Sequence, residues 1–384
     1  MIVISGQPSR NCEYNLGDRF ESVILTKSLA SNFKRDTEID IYDEGDVSSI
    51  AFLVDGKHVV SGSEGGKIRR WRVADGVEVG TPMKAGSAVR SIAVSRDGKW
   101  IVSGTESGKV QVWNAENGEK ASEFKPPLQV LTSNSVQEVD VSPDSTQIAS
   151  GSRSGAVFVW SLSTRKRLFG PWRPGSSTDV LAVKFSPDGR LIATATERAW
   201  SSLCVRVNNS QDGHLLVEVR IKVKIPNFSE QPLAWSSNSK QLFALSHDCK
   251  IYCLDATTGG TLSRWRVHGN GCIAKCITLT NNGAFIAASV GSSVSFWDTT
   301  THKRIGPVIE HGTAPIHQIN CMAISANYDI AIGGGSRITL RTIRDILLSS
   351  YVSTFASTLN QTVSLTVAVS KWKPRNTSWC QVKK

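Results

Sequence analysis

The sequence lacks the features that place a chain in or across a membrane. It contains no run of about 18 apolar residues, the length that a membrane-spanning helix needs. Its start, residues 1–8, has neither the basic segment nor the apolar stretch of a secretory signal. Only eight cysteines are scattered over 384 residues, so their spacing predicts no disulfide framework. We therefore expect an intracellular, cytoplasmic protein with no membrane partner.

The sequence also lacks the motifs of common catalytic sites. No Gly-x-Ser-x-Gly segment stands at a strand-to-helix turn, and the seven histidines fall mostly at predicted turns. The glycine-rich segments Gly269–Gly271 and Gly333–Gly335 lack the Gly-Lys-Ser/Thr ending of a phosphate-binding loop. We expect no enzyme, no catalytic residues and no cofactor.

Two cysteine pairs are the candidates for a metal site. Three residues separate Cys249 from Cys253, and three separate Cys272 from Cys276, a spacing that zinc loops use. The predicted positions, in a third strand and near an inner strand, also suit buried cysteines that fill apolar space. We favour packing and expect no metal ion.

Acidic residues are absent after Ser350, so this tail is basic and raises the net charge of the whole chain. Five basic residues of that tail contribute to the total of +11, which leaves +6 on the rest of the chain. A basic chain suggests nucleic acid as a partner, but a moderate positive charge is also a common means of keeping a protein soluble.

What the sequence does contain is a repeated strand ending. Four short apolar strands end in tryptophan, at Trp71, Trp113, Trp160 and Trp297, and three weaker copies end at Asn208, Leu254 and Arg341. Successive endings lie 42 to 48 residues apart. A period of about 40–45 residues is typical of one blade of a β-propeller.

Each repeat predicts four short antiparallel strands. In the second repeat these are Ser87–Val94, Trp100–Gly104, Val110–Trp113 and Lys120–Phe124, and Asp97-Gly98 closes the first hairpin. Four strands joined by short turns make one blade. The segment from Ile319 to Ile343 supplies three strands at most for a seventh blade.

Three motifs resemble those of the WD-repeat propeller family. They are the Ser186-Pro-Asp-Gly189 turn, the Ser61-Gly-Ser63 strand end and the pair Trp297-Asp298. The resemblance covers Ile39 to Ile343 and extends to divergent fungal WD-repeat proteins. It implies an all-β, seven-bladed propeller of four-stranded antiparallel blades.

The resemblance also implies how the ring closes and where the chain divides. A strand near the amino terminus completes the last blade in this family, and Thr37–Tyr42 is the candidate. We expect residues 1–36 to lie outside or at the edge of the ring, residues 37–345 to form the propeller, and residues 346–384 to form a basic tail.

Basic residues recur at the turn between the second and third strands. Lys67, Lys109, Lys250 and Arg337 follow this turn at one register, and Arg153 and Arg198 occupy the same region in two further repeats. In the family this turn lies on the top face, so the six would form one basic rim. Trp200 lies in a longer turn beside Arg198 and, with Trp100, is a candidate aromatic anchor for a partner.

These observations favour a non-catalytic scaffold that binds other proteins or peptides on the top face as a monomer. The alternative is a nucleic-acid or phospho-ligand binding module that uses the rim and the tail. A solvated rim without function is a third interpretation. The family's Gly-His pair is missing before the inner strands, so we expect its polar network to be lost throughout and the blades to be held mainly by apolar packing.

Overall fold

Seven four-stranded sheets form the structure. The computed structural model describes residues 37–41, 45–126, 135–173, 179–198, 202–222, 231–246, 248–267, 274–311, 318–344 and 347. Each sheet is an antiparallel meander, and together they make the predicted seven-bladed propeller. The blades are numbered here in the chain order of their innermost strands.

The strand bounds follow the repeat. Blade 1 contains β2 (Val47–Phe52), β3 (His58–Ser63), β4 (Lys67–Arg72) and β5 (Met83–Lys84). Blade 2 contains β6 (Val89–Val94), β7 (Trp100–Thr105), β8 (Val110–Asn114) and β9 (Lys120–Phe124). Blade 3 contains β10 (Val136–Val141), β11 (Gln147–Ser152), β12 (Val157–Ser161) and β13 (Arg167–Trp172). Blade 4 contains β14 (Val180–Phe185), β15 (Leu191–Arg198), β16 (Ser202–Asn209) and β17 (Leu215–Lys222).

The remaining blades are assembled in the same way. Blade 5 contains β18 (Leu233–Trp235), β19 (Gln241–Ser246), β20 (Lys250–Asp255) and β21 (Thr261–Arg266). Blade 6 contains β22 (Ala274–Leu279), β23 (Phe285–Val290), β24 (Ser293–Asp298) and β25 (Arg304–Glu310). Blade 7 contains β26 (Cys321–Ile324), β27 (Asp329–Gly334), β28 (Arg337–Thr342) and, as its outer strand, β1 (Thr37–Asp40).

The first strand of the chain closes the ring, as predicted. β1 pairs antiparallel with β28, with Thr37 opposite Leu340 and Asp40 opposite Arg337. Ile39 is buried in a cluster that also contains Val47 and Ile338, so closure joins the first blade to the last. Residues 1–36 and the tail after residue 347 lie outside the described residues, so the expected outer boundaries stay predictions.

A repeated turn sets the first hairpin of most blades. In blade 2, Ser95 Oγ donates to Asp97 Oδ1 at 2.6 Å and accepts from the backbone N–H of Trp100 at 2.9 Å. Gly98 has a φ of +72°, which a glycine adopts without steric cost. Matching side-chain bonds start from Ser142, Ser186, Ser236 and Thr280.

The core lies between the blades. One cluster joins Val60 and Ile68 of blade 1 to Ile101 and Trp113 of blade 2. The contact is so close that a Cβ added to Gly104 in β7 would lie 2.6 Å from Val136 Cγ1 in β10. Each blade therefore packs on the next through side chains of its first three strands.

The expectation that the polar network is lost throughout is wrong. Three tryptophans donate Nε1 to a serine Oγ of the neighbouring second strand, in the pairs Trp71–Ser61, Trp113–Ser103 and Trp160–Ser150, at 2.8, 3.0 and 2.9 Å. In blade 6 the acceptor is Ser295 of the same strand, 2.8 Å from Trp297 Nε1. In blade 7, buried His311 precedes the inner strand and its Nδ1 lies 2.9 Å from Thr339 Oγ1. Part of the polar network is therefore present, and it depends on which residues the strand register brings together.

Candidate functional site

The meander gives the ring two different faces. The top face carries the turns between second and third strands and the loops that join one blade to the next. The bottom face carries the turns between first and second strands and between third and fourth strands. The described rim residues all belong to the top face, as the repeat register predicts.

Acidic partners accompany most of the basic rim. Lys109 Nζ lies 2.9 Å from Glu123 Oε1, and Arg153 Nε lies 3.4 Å from Asp179 Oδ2. Arg337 contacts Glu38 and Asp40 of the closing strand, both at 2.9 Å. Lys250 pairs with Asp248 in its own turn. Lys67 begins β4 and also has an interaction partner. Four of the six rim cations therefore stand in ion pairs, and the described part of the rim is not a uniformly basic surface.

These pairs change the acidity of the carboxylates. The hydrogen bond from Lys109, supported by Gln111 and Lys120, lowers the pKa of Glu123 from 4.5 to about 2. Burial works against the charged form of Asp248, but Lys250 and Ser246 outweigh it and lower the pKa of that carboxyl. Both groups are thus held as carboxylates at neutral pH, where they neutralise the adjacent lysines.

Blade 4 rises above its neighbours at the predicted longer turn. β15, β16 and β17 each have eight residues, and Arg198 is paired with Ser202 at the tip. Trp200 lies outside the described residues, as does the side chain of Arg198. Their assignment as partner-binding residues stays a prediction.

The channel opens on the top face into a polar cavity of about 230 Å³. Six of the seven blades contribute to its lining. The charged lining residues are Asp46, Glu64, Glu138, Asp179, Arg90 and Arg153. Of these, only Arg153 was predicted. The others lie in blade-joining loops, at the starts of inner strands or in a turn. At these positions the repeat has no characteristic residue comparable to the tryptophan that ends its third strand.

Arg90 joins two neighbouring blades at this mouth. Its guanidinium contacts Glu64 of blade 1 and Glu106 of blade 2, each at 3.2 Å. The two glutamates occupy matching turns of their blades, and both bind this arginine of an inner strand. Arg90 therefore forms a bridge between blades 1 and 2.

A partly buried charged cluster lies lower in the channel. Lys184 Nζ lies 2.6 Å from Glu138 Oε1, and Asp140 accepts the backbone N–H of Phe185 at 2.7 Å. Glu138 lines the upper cavity, whereas Asp140 and Lys184 line a lower one of about 550 Å³. The cluster therefore stands between the two ends of the channel.

Burial and ion pairing act in opposite directions on the pKa values of this cluster. Desolvation raises the pKa of Glu138, because the loss of hydration destabilises the carboxylate more than the ion pair with Lys184 stabilises it. Desolvation also opposes the charged form of Lys184, but Glu138 and Asp140 outweigh it and raise the pKa of the ammonium. Lys184 therefore stays protonated.

The cysteine and tryptophan candidates have packing roles in the described residues. Cys249, Cys253 and Cys276 are buried, and Cys272 lies outside the described residues. Burial raises the pKa of the Cys253 thiol, which disfavours the thiolate that a metal binds. Trp100 begins β7 on the bottom side and packs against the core of blades 2 and 3, so it is not a top-face anchor.

Within the described ranges, no three His, Cys, Asp or Glu side chains are grouped to hold a metal ion. Within the same ranges, no helix has the length and apolar character to span a membrane.

Comparison with known proteins agrees with the architecture. Residues 38–72, 79–114, 125–161 and 171–209 match the family described as WD domain, G-beta repeat. The four matches contain the first three strands of blades 1 to 4, and each ends with the third strand of its blade. A search of curated proteins found no match. The four matched repeats and the seven closed blades together show that the chain belongs to the WD-repeat family of β-propellers.

Proposed function

We propose that this protein is a non-catalytic scaffold whose top face binds a protein partner. Propellers of the WD-repeat family are commonly interaction scaffolds. The observation that carries the proposal is the polar cavity at the channel mouth, which combines four carboxylates with two guanidinium groups. A rigid concave surface with both charges suits a partner loop that carries both charges as well.

The proposed contact residues are those of the rim. They are Lys67, Lys109, Arg153, Lys250 and Arg337, with Arg198 and Trp200 at the tip of blade 4. A partner with acidic and basic side chains exchanges the existing ion pairs for intermolecular ones. Such pairs contribute more to specificity and association rate than to affinity.

The same ion pairs weigh against the nucleic-acid and phospho-ligand alternative. Binding to a phosphate backbone needs lysines and arginines that release counterions from the ligand. Four of the proposed rim residues have a described carboxylate within 4 Å, so their charge is already largely offset.

The test compares charge reversals on the two faces. Arg153→Glu changes an exposed top-face arginine, and Arg190→Glu is the matched control on the bottom face. Proteins that co-purify with the wild type are quantified by mass spectrometry for both variants, after circular dichroism confirms folding. The proposal predicts that specific partners are lost with Arg153→Glu and kept with Arg190→Glu. An equal loss with both variants, or with Arg190→Glu alone, would falsify it.

A further inference from the structure

The outer edge of blade 4 differs from the other outer edges of the ring. β17 is its last strand, and no described strand pairs with its outward side. It has eight residues, Leu215 to Lys222, with no proline or glycine. Long, regular edges of this kind tend to pair with another strand.

The other outer strands carry features that oppose pairing. Prolines interrupt β13 at Pro171 and β25 at Pro307, and a proline cannot donate a ladder hydrogen bond. β5, β1 and β9 have two, four and five residues. β21 carries Arg264 and Arg266 without any acid, so a second copy would bring like charges together. Among the described outer strands, β17 alone has more than five residues, no proline and charges of both signs.

Two exposed leucines begin the same edge, and one more lies near the start of the outer strand of the blade on either side. Leu168, Leu215, Leu216 and Leu262 are the exposed leucines of the described residues, each 42–54% accessible. They lie near the starts of the outer strands of three consecutive blades, 3, 4 and 5. Of the four, Leu215 and Leu216 are adjacent, and adjacent exposed apolar side chains mark an interaction surface more often than isolated ones do.

The sequence of β17 is complementary to itself in one register. When two copies run antiparallel about a twofold axis at Val219, Glu218 of each copy lies opposite Arg220 of the other. The same register places Val217 opposite Ile221 and Leu216 opposite Lys222. A shift of one residue along each strand would place Glu218 opposite Glu218 or Arg220 opposite Arg220. Opposite charges across a ladder stabilise it, and like charges destabilise it.

We propose that β17 is a dimerisation edge, at which two copies of this chain join their blade-4 sheets into one eight-stranded antiparallel sheet. This arrangement is isologous, so the twofold axis closes the assembly and no further copy is added. Seven residues of each copy, Leu216 to Lys222, pair in this register, so at about 3.4 Å per residue the paired edge is about 24 Å long. The dimer replaces the monomer expected from the sequence.

The edge lies on the circumference of the ring, away from the channel mouth. Dimerisation therefore leaves both top faces accessible and doubles the number of partner sites in one assembly. The proposal does not depend on the top face being the partner site.

The test uses the full chain in sedimentation equilibrium over roughly 1 to 100 μM, a range suited to interfaces of modest area. The wild type should form dimers. Arg220→Glu places Glu opposite Glu218, and Glu218→Arg places Arg opposite Arg220. Each variant alone should dimerise about tenfold more weakly or worse. An equimolar mixture of the two restores opposite charges at both pairs and should form heterodimers.

Controls separate the interface from folding. Arg304→Glu makes the same charge reversal on the outer strand of blade 6 and should leave the wild-type dimer intact. Within one copy Glu218 also contacts Arg206 at 2.5 Å and Arg220 at 2.6 Å, and both variants disturb these pairs, so folding of each variant is checked by thermal melting. If Glu218→Arg does not fold, hydrogen exchange of the wild type decides, since protection of β17 amides should rise with protein concentration. A monomeric wild type, or a dimer that Arg220→Glu leaves unchanged, overturns the proposal.

Discussion

At the residue scale, the blades differ in how they satisfy one buried polar position. Blades 1 to 3 pair a tryptophan indole with a serine, whereas blade 5 has Leu254 and Ala244 at the matching register and needs no hydrogen bond there. Blade 4 has Asn208 and Thr194 at these positions. Both are buried, and neither Thr194 Oγ1 nor Asn208 Oδ1 has a hydrogen-bond partner. Blade 4 has therefore lost the indole but kept the hydroxyl.

This difference predicts opposite effects of similar substitutions. Ser150→Ala leaves the buried Trp160 Nε1 without its acceptor and should lower the free energy of unfolding by about 1–3 kcal/mol. Thr194→Val removes a hydroxyl that bonds nothing and should be neutral or stabilising. Urea unfolding of both variants measures the two effects. Equal destabilisation by both would contradict the assignment of these hydrogen bonds.

Glu123 predicts a pH-dependent contribution to stability. Its folded pKa of about 2 lies below its ordinary value of 4.5, so its contribution is complete above 4.5 and disappears as pH falls through 2. Glu123→Gln should therefore be less stable than wild type near neutral pH, and the difference should shrink as pH falls toward 2. Urea unfolding over a pH series measures it. Lys109→Gln should weaken this pH dependence, and an unchanged dependence would exclude Lys109 as its main cause.

At the scale of elements, close packing of one blade on the next is the repeated interaction. The second-strand glycines Gly62, Gly104 and Gly151 each face a valine of the next inner strand, namely Val89, Val136 and Val180. A side chain on any of these glycines must displace a branched apolar group that is itself fully buried.

Gly104→Ala should destabilise the fold by about 1–3 kcal/mol, because the added methyl group overpacks the contact with Val136. The double variant Gly104→Ala, Val136→Ala frees space and should be more stable than additivity of the single variants predicts. Denaturant unfolding of the three variants gives the coupling energy. A coupling energy of zero would show that the two residues do not share this contact.

The sequence predicted local elements well and long-range contacts poorly. The strands of blade 2 were predicted within two residues at either end, because serine, aspartate and glycine mark their turns. The closing strand was predicted from its alternation and the family resemblance. The acidic partners of the rim were missed, because Glu123 reaches Lys109 from the next strand and Asp179 reaches Arg153 from the next blade. Such pairs depend on register and blade order, which no local pattern reports.

At the scale of the whole molecule, the net charge of +11 does not describe the charge of the top face. Within the described ranges, the upper cavity has more carboxylates than guanidinium groups, and the rim cations stand beside acids. The excess charge is located partly in the tail, whose five basic residues face no acid in sequence. A chain can thus be basic overall while its candidate site has both charges.

Weak, non-specific affinity for nucleic acid follows from this distribution. A labelled DNA duplex should show little binding by fluorescence anisotropy at about 50 mM salt, and none at about 200 mM. A chain ending at residue 345 is the control for the tail and should bind no more tightly than the full chain. Tight binding that persists in the shortened chain and falls steeply with salt would favour the nucleic-acid alternative over a protein partner.

The most direct test of the top face as the partner site is cross-linking mass spectrometry of the complex with a co-purified partner. The two faces carry separate sets of lysines. Lys67, Lys109 and Lys250 are on the top, and Lys57, Lys99, Lys166, Lys240 and Lys303 are on the bottom. Binding at the top face predicts intermolecular cross-links to the first set and none to the second. Cross-links concentrated on the bottom lysines, which are the more exposed ones, would contradict the account.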